Sequence, residues 1–191
     1  MKFNHKDLAF FAVSKEQYRL KKVFIICGST RKNAINHHYI EAVKTFIGKY
    51  LEYAKLESMM NIPHFNPDDD NENATDTVKR FRQQLCSSDG IIISTPEYAM
   101  SIPGSLKNAI DWTVSSSSFS KKPVLLMTAS SQGVKAHQTL TDILKVIEAD
   151  VDKTNILTSF AKTKIDNNII ITDAATKEAL IKTAGTFESK L

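Results

Sequence analysis

Ile91-Ile-Ile-Ser-Thr-Pro-Glu-Tyr-Ala-Met-Ser-Ile-Pro-Gly-Ser-Leu-Lys-Asn-Ala-Ile-Asp-Trp112 joins an unbroken apolar run to a helical pattern through a short loop. The apolar run stops at Pro96, and Pro103-Gly104 opens a repeat of Leu106, Ala109, Ile110 and Val114 at helical spacing. A short run that is apolar at successive positions, not alternate ones, reads as a strand covered on both faces, as in a parallel sheet flanked by helices. The loop then lies at the carboxyl end of that strand, where open α/β sheets bind their ligands.

Working outward, the same signals recur. Val23-Phe-Ile-Ile-Cys27 is a first apolar strand ending at Gly28, followed by helical spacing of Ile35, Tyr39, Val43, Phe46 and Ile47. A weaker second strand is expected within Ala54 to Met60, then a loop from Asn61 with a solvated acidic patch at Asp68 to Glu72. Val78, Phe81 and Leu85 mark a helix before the third strand, Gly90 to Thr95. Ser115 to Ser118 reads as a flexible break before a fourth strand, Pro123 to Thr128. Ala136, Leu140, Ile143, Leu144 and Ile147 then form a helix. Asn155 to Ala161 is a fifth strand, and Ala174 to Ala184 a terminal helix capped by Asp173. Strands alternating with helices predict an α/β, flavodoxin-like three-layer sandwich with a five-stranded parallel sheet in the order 2-1-3-4-5. Residues 21–191 make this domain, and residues 1–20 precede it as an extension, either an added helix or an arm.

Bulk properties narrow the function classes. At 191 residues, 42% hydrophobic and 24% charged, the chain suits one globular domain with a full core. A net charge of +4 without any block of like charges gives no support to nucleic-acid binding. The apolar patch Leu8 to Val13 is too short to span a membrane, so the expectation is a cytoplasmic protein. Cys27 and Cys86 end apolar or helical runs and read as small buried residues. His37-His38 diverge on a helix and make no metal clamp, and the Asp68 cluster lacks the spacing and glycine of a calcium loop, so no metal is expected.

Three loops follow the first, third and fourth strands and converge on one sheet edge. Gly28-Ser-Thr-Arg-Lys-Asn-Ala-Ile-Asn36 offers hydroxyls, a guanidinium and the start of a helix, the equipment of a phosphate site. The Rossmann glycine pattern and the Walker lysine are both missing. No Ser/His/Asp set, activated cysteine or metal cluster supplies a protein-side catalyst, so the catalytic side-chain set is empty and the chemistry falls to a cofactor.

The segment from Pro96 to Trp112 resembles the NADPH-dependent FMN reductases, whose flavin-ring loop is written Pro-Glu-Tyr-Asn and whose next helix begins Pro-Gly-x-Leu-Lys-Asn-Ala-Ile-Asp-Trp. The first loop resembles that family's Gly-Ser-x-Arg-x-x-Ser-x-Asn phosphate loop, with Ala34 replacing a Ser. Ala99 replaces the Asn of the ring loop, and the third loop keeps Ser130, Ser131 and Gly133 but runs on as Val-Lys-Ala-His instead of a Gly-Gly pair. The resemblance implies bound FMN, NADPH or NADH as hydride donor, and a flavin, quinone or azo compound as acceptor in a ping-pong cycle. A non-enzymatic FMN electron carrier of the same fold is the alternative, and a fold that has lost flavin is a third.

By the same resemblance the cofactor surface comprises Ser29, Arg31, Ala34, Ile35 and Asn36, then Pro96, Glu97, Tyr98 and Ala99, then Ser130, Ser131 and Gly133. Tyr98 would lie beside the dimethylbenzene and ribityl region. Lys107, badly placed for the helix dipole, asks for a carboxylate, and Glu97 is the expected partner. His137 reads as an exposed residue in a helical first turn. The family forms dimers or dimers of dimers through the helix after the ring loop, which here carries Ile110 and Trp112, so a homodimer or homotetramer is implied.

Overall fold

Strands β1 (Lys21–Cys27), β2 (Leu51–Lys55), β3 (Gly90–Thr95), β4 (Val124–Ala129) and β5 (Asn155–Thr158) form one sheet in the order β2-β1-β3-β4-β5. Every neighbouring pair is parallel. The computed structural model describes residues 19–48 and 50–191, so the expected extension at 1–20 lies almost wholly outside the described residues. Helices α1 (Ile35–Lys44), α2 (Asp76–Cys86), α3 (Gly104–Asp111), α4 (Val134–Val146) and α5 (Ala174–Glu188) complete the expected flavodoxin-like three-layer sandwich.

Alternation along the strands divides the interior into two cores. Phe24, Ile26, Ile91, Ile93, Val124 and Leu126 face α2, α3 and α4, whereas Val23, Ile25, Ile92, Leu125 and Met127 face α1 and α5. Because both faces of β3 and β4 are covered, each of their residues is buried. The order of the sheet reverses between β1 and β3, and the loops leaving their carboxyl ends part there.

Several expectations are corrected. The second strand is Leu51–Lys55, upstream of the expected stretch, and Met59–Asn61 is a turn of 3-10 helix. As an edge strand paired only with β1, β2 leaves Glu52 and Lys55 exposed, which diluted its apolar signal. The fifth strand stops at Thr158, and the terminal helix runs on to Glu188 with Asp173 accepting the Thr176 amide as its cap. Cys27 is half-buried, with burial pushing its thiol pKa up against a hydrogen bond from Ser29, whereas Cys86 is exposed. Asp70 is not merely solvated: it pairs with Arg82 and accepts from Ser115 Oγ at 2.8 Å. In the serine run, Ser118 is buried and its hydroxyl lies 2.6 Å from that of Ser116.

On the helix after β3, the two residues implied for a partner surface turn inward instead. Ile110 and Trp112 are each 1% exposed, packed inside their own chain and not on its surface. Trp112 Nε1 and Asn108 Nδ2 both donate to the carbonyl of Pro63, at 2.8 and 2.9 Å, and Asn108 Oδ1 accepts the Phe65 amide. Phe65 meets the Trp112 ring edge-on, and Arg82 lies over that ring. The Lys-Asn-Ala-Ile-Asp-Trp run therefore holds the connection between β2 and α2 against the sheet.

Candidate active site

Gly28 turns the chain out of β1 at a point with no room for a side chain. A Cβ there would meet Thr95 Oγ1 at 2.6 Å and Leu106 Cδ2 at 3.0 Å, while the Gly28 amide donates to Ser94 O at 2.7 Å. The loop then presents Ser29 and Arg31 before α1. Ala34 is the N-cap of α1, in extended geometry and without a side-chain cap, and its own amide turns back to Arg31 O at 3.3 Å. The first-turn amides of a helix have no intrahelical partner, so the uncapped start of α1, at Ile35 and Asn36, is open to an anion. The Asn36 side chain is spent elsewhere: buried, its Nδ2 donates to Ser94 Oγ and Ala129 O, both at 3.2 Å. It ties the helix start to β3 and β4.

After β3, Tyr98 and Ser101 exchange backbone hydrogen bonds at 2.9 and 3.0 Å around Ala99 and Met100, which have φ of 47° and 61°. Two successive left-handed residues between paired neighbours make a type I′ turn, which favours Asn and Gly. Ala99 thus points to strain in the turn, beyond the missing polar group that the sequence alone suggests. The Tyr98 hydroxyl lies 3.4 Å from Ser29 Oγ, joining the first two loops. Glu97 does not pair with Lys107, which instead binds Asp111 at 2.6 Å, one turn on. Glu97 Oε2 accepts the amides of Lys135 and Ala136 at 2.8 and 2.9 Å. A carboxylate from one loop thereby caps the helix that follows another.

The loop after β4 completes that link. Ser130 Oγ accepts the Glu97 amide at 3.1 Å, and Gly133, at φ 90°, is the left-handed N-cap of α4. A Cβ at Gly133 would come within 2.8 Å of Leu157 Cδ1. His137 is not exposed: it is half-buried, with Nδ1 2.9 Å from Thr128 Oγ1 and Nε2 3.2 Å from Asn155 Oδ1. Burial pulls its pKa below the ordinary imidazole value against the bond to Asn155, so the ring is neutral and bridges β4 and β5.

A fourth loop, after β5, escaped the sequence reading although the same rule of strand ends applies to it. Phe160 and Ala161 donate their amides to Ser131 O and Ser130 O, both at 3.0 Å. Tyr39, with its phenol pKa pushed up to about 12 by burial and by the charge of Asp173, donates to Ala161 O at 3.0 Å. The four loops enclose a cleft of about 550 Å³ lined by every expected cofactor residue except Ala99 and Gly133. Ala99 sits at the exposed turn tip, and Gly133 lies beneath the loop against Leu157 and Thr128. The fourth loop adds Phe160, Lys162, Thr163 and Asp166 to the lining.

The donor set fits a phosphorylated planar cofactor. Arg31, Lys162 and His38 line the cleft. Of the acids there, Glu97 is bound to the α4 amides, and Asp166 accepts the Asn168 and Ile170 amides at 2.9 and 2.8 Å. The Arg31 guanidinium and the open helix start lie together in the Ser29–Asn36 loop, which is where an anion would be held.

The sequence model of the NADPH-dependent FMN reductases matches residues 21–160. A quinone reductase of Escherichia coli is 32% identical over 152 residues, spanning 76% of this chain and 81% of that protein. An NAD(P)H-dependent FMN reductase of Pseudomonas aeruginosa is 34% identical over 58% of this chain and 60% of its own length. Among solved structures, the flavoenzyme NAD(P)H:(acceptor) oxidoreductase FerB of Paracoccus denitrificans superposes with a TM-score of 0.71 at 25% identity, covering 88% of this chain and 96% of that one. Of the alternatives left open by the sequence, these matches favour the reductase over the electron carrier. By fold and family match, the chain belongs to the NADPH-dependent FMN reductase family and is an FMN-dependent NAD(P)H oxidoreductase.

Proposed function

We propose that the cleft binds FMN and that the chain passes electrons from NAD(P)H to a quinone, by the stoichiometry NAD(P)H + H⁺ + quinone giving NAD(P)⁺ + quinol. The convergence of Ser29–Asn36, Pro96–Tyr98 and Ser130–Ser131 on one cleft carries this reading. The quinone as acceptor rests on the quinone reductase of Escherichia coli.

Bound FMN supplies the hydride-accepting nitrogen and the two-electron store that side chains lack. Arg31, Ser29 and the first-turn amides of α1 hold the phosphate, and Asn36 fixes that turn by its bonds to Ser94 and Ala129. The amides of Glu97, Tyr98 and Ser130 are already bound to Ser130 Oγ, Ser101 O and Thr158 O. The Ser131 amide, on a residue that lines the cleft, would be a donor to negative charge at the ring edge in this reading. Ala99 acts through the conformation of its turn, and Gly133 through the position of the loop above it.

Self-association as a homodimer or homotetramer belongs to the same reading. Met100 and Val114, which flank α3, are 68% and 56% exposed and suit a covered surface. A cytoplasmic site is supported by two unpaired cysteines and, among the described residues, by no helix long and apolar enough to cross a membrane.

Anaerobic titration of the FMN-loaded protein with NADPH tests the reading. Prompt bleaching of the flavin band, followed by its return on adding a naphthoquinone, is expected. A colourless protein that FMN cannot reconstitute, or a bound flavin that NADPH and NADH leave oxidised, sinks it.

A further inference from the structure

Phe160 stands out in the cleft wall. It is 66% exposed, and its φ of 53° is a left-handed conformation that bulky residues avoid. Nothing local forces it: Gly or Asn would take that backbone with less strain. The conformation is nevertheless held from both sides. The Phe160 amide donates to Ser131 O, while its carbonyl accepts from the amide and the hydroxyl of Thr163 at 3.0 and 2.9 Å. Just before it, Ser159 Oγ donates to Gln132 O at 2.6 Å, and just after it Ala161 is fixed by Ser130 and Tyr39. A strained backbone fastened at this many points, with an apolar ring left in water, is a preorganised surface in search of a ligand.

Its place narrows what that ligand is. The β3-β4-β5 order puts the loop bearing Phe160 on the far side of the Ser130–Gly133 loop from Tyr98, so two exposed aromatic rings belong to opposite walls of one cleft. Resting on the reductase reading, we propose that Phe160 is the stacking platform for the planar conjugated ring of the substrate that exchanges electrons in the cleft, either a nicotinamide or a quinone. An offset stack on a fixed phenyl face orients a flat ring without polar contacts, and it tolerates different rings.

The test uses the FMN-loaded protein and the variants Phe160→Gly and Phe160→Trp. Glycine relieves the left-handed backbone, so Phe160→Gly keeps its FMN and a thermal midpoint no lower than the parent. Its KM for a planar naphthoquinone, for NADPH, or for both rises about five- to tenfold, the size expected for one lost aromatic stack. Ferricyanide, which offers no face to stack, separates the two sources. A rise seen only with the quinone assigns the platform to the acceptor, and a rise in the NADPH KM with either acceptor assigns it to the nicotinamide. Binding of redox-inert 1-naphthoate, read from the flavin spectrum of the oxidised protein, weakens by the same factor, and Phe160→Trp restores it. Unchanged KM values and unchanged naphthoate binding in Phe160→Gly overturn the proposal, as does loss of FMN from that variant. If the parent itself neither holds FMN nor bleaches with NAD(P)H, the reductase reading has failed first, and that outcome is seen before any variant is made.

Discussion

Glu97 reaches from the loop after β3 to the start of α4, where its carboxylate lies 2.8 Å from the Lys135 amide. With the second bond, to Ala136, it supplies the cap that Gly133 cannot. Glu97→Ala is expected to cost about 1–2 kcal/mol of stability, as for a lost helix cap. Glu97→Gln, which keeps an acceptor but loses the charge, should cost about half of that. Lys107→Ala removes only an exposed pair with Asp111, so the same denaturation series should show it near the parent. Parity between Glu97→Ala and Lys107→Ala would contradict the capping role.

The turn at Ala99 predicts a gain. Placing Asn at that left-handed position, as Ala99→Asn, should raise stability by about 1 kcal/mol and leave the sheet unchanged. Thermal unfolding reads it. A lower midpoint would mean that the turn is not type I′ in solution.

Ala34 predicts a gain at the other end of the cleft. Ala34→Ser installs the missing N-cap hydroxyl of α1 and should add about 1 kcal/mol in the absence of FMN. FMN affinity, measured by fluorescence quenching, should also rise. Gains in neither quantity would place the helix start differently from the geometry described.

His137 gives a pH signature. Its folded pKa is depressed, so the unfolded chain binds the proton more readily. The stability that comes from the neutral ring is complete above about pH 6.5, the unfolded value, and is lost as pH falls through the folded value. The thermal midpoint should drop as pH falls below about 6.5, and His137→Gln should flatten part of that drop. An identical pH slope in the variant would show that other groups dominate.

Gly28 should not tolerate a methyl group. Gly28→Ala drives a Cβ to 2.6 Å from Thr95 Oγ1 and should cost about 1–3 kcal/mol, with FMN affinity falling because the Ser29–Asn36 loop moves. Unfolding curves and FMN titration of the variant test both parts.

What the sequence revealed follows from how each part is stabilised. β1, β3 and β4 were legible because strands covered on both faces must be apolar throughout, and the loops after them were found by that means. β2 was misplaced because an edge strand needs only intermittent apolar residues. The expected Glu97–Lys107 pair rests on proximity along the chain, whereas the actual partners of Glu97 lie 38 and 39 residues away and are backbone amides, which carry no letter in a sequence. Exposure of His137 was misjudged for the same reason: its partners, Thr128 and Asn155, come from two different strands. The loop after β5 is hidden in the sequence because the expected fifth strand runs on to Ala161, whereas the chain leaves the sheet at Thr158 and turns left-handed at Phe160.

The brace that Asn108 and Trp112 form on Pro63 has a consequence for how such a chain can change. The signature most easily recognised in it serves the scaffold, outside the lining of the cleft where Phe160 stands. Substitutions around residues 160–167 can reshape the cleft mouth while that brace and the start of α1 stay as they are. The recognisable signature and the fourth wall of the cleft are thus written in separate stretches of the chain, and on the proposal made for Phe160 two descendants could share every letter from Pro103 to Trp112 and still turn over different molecules.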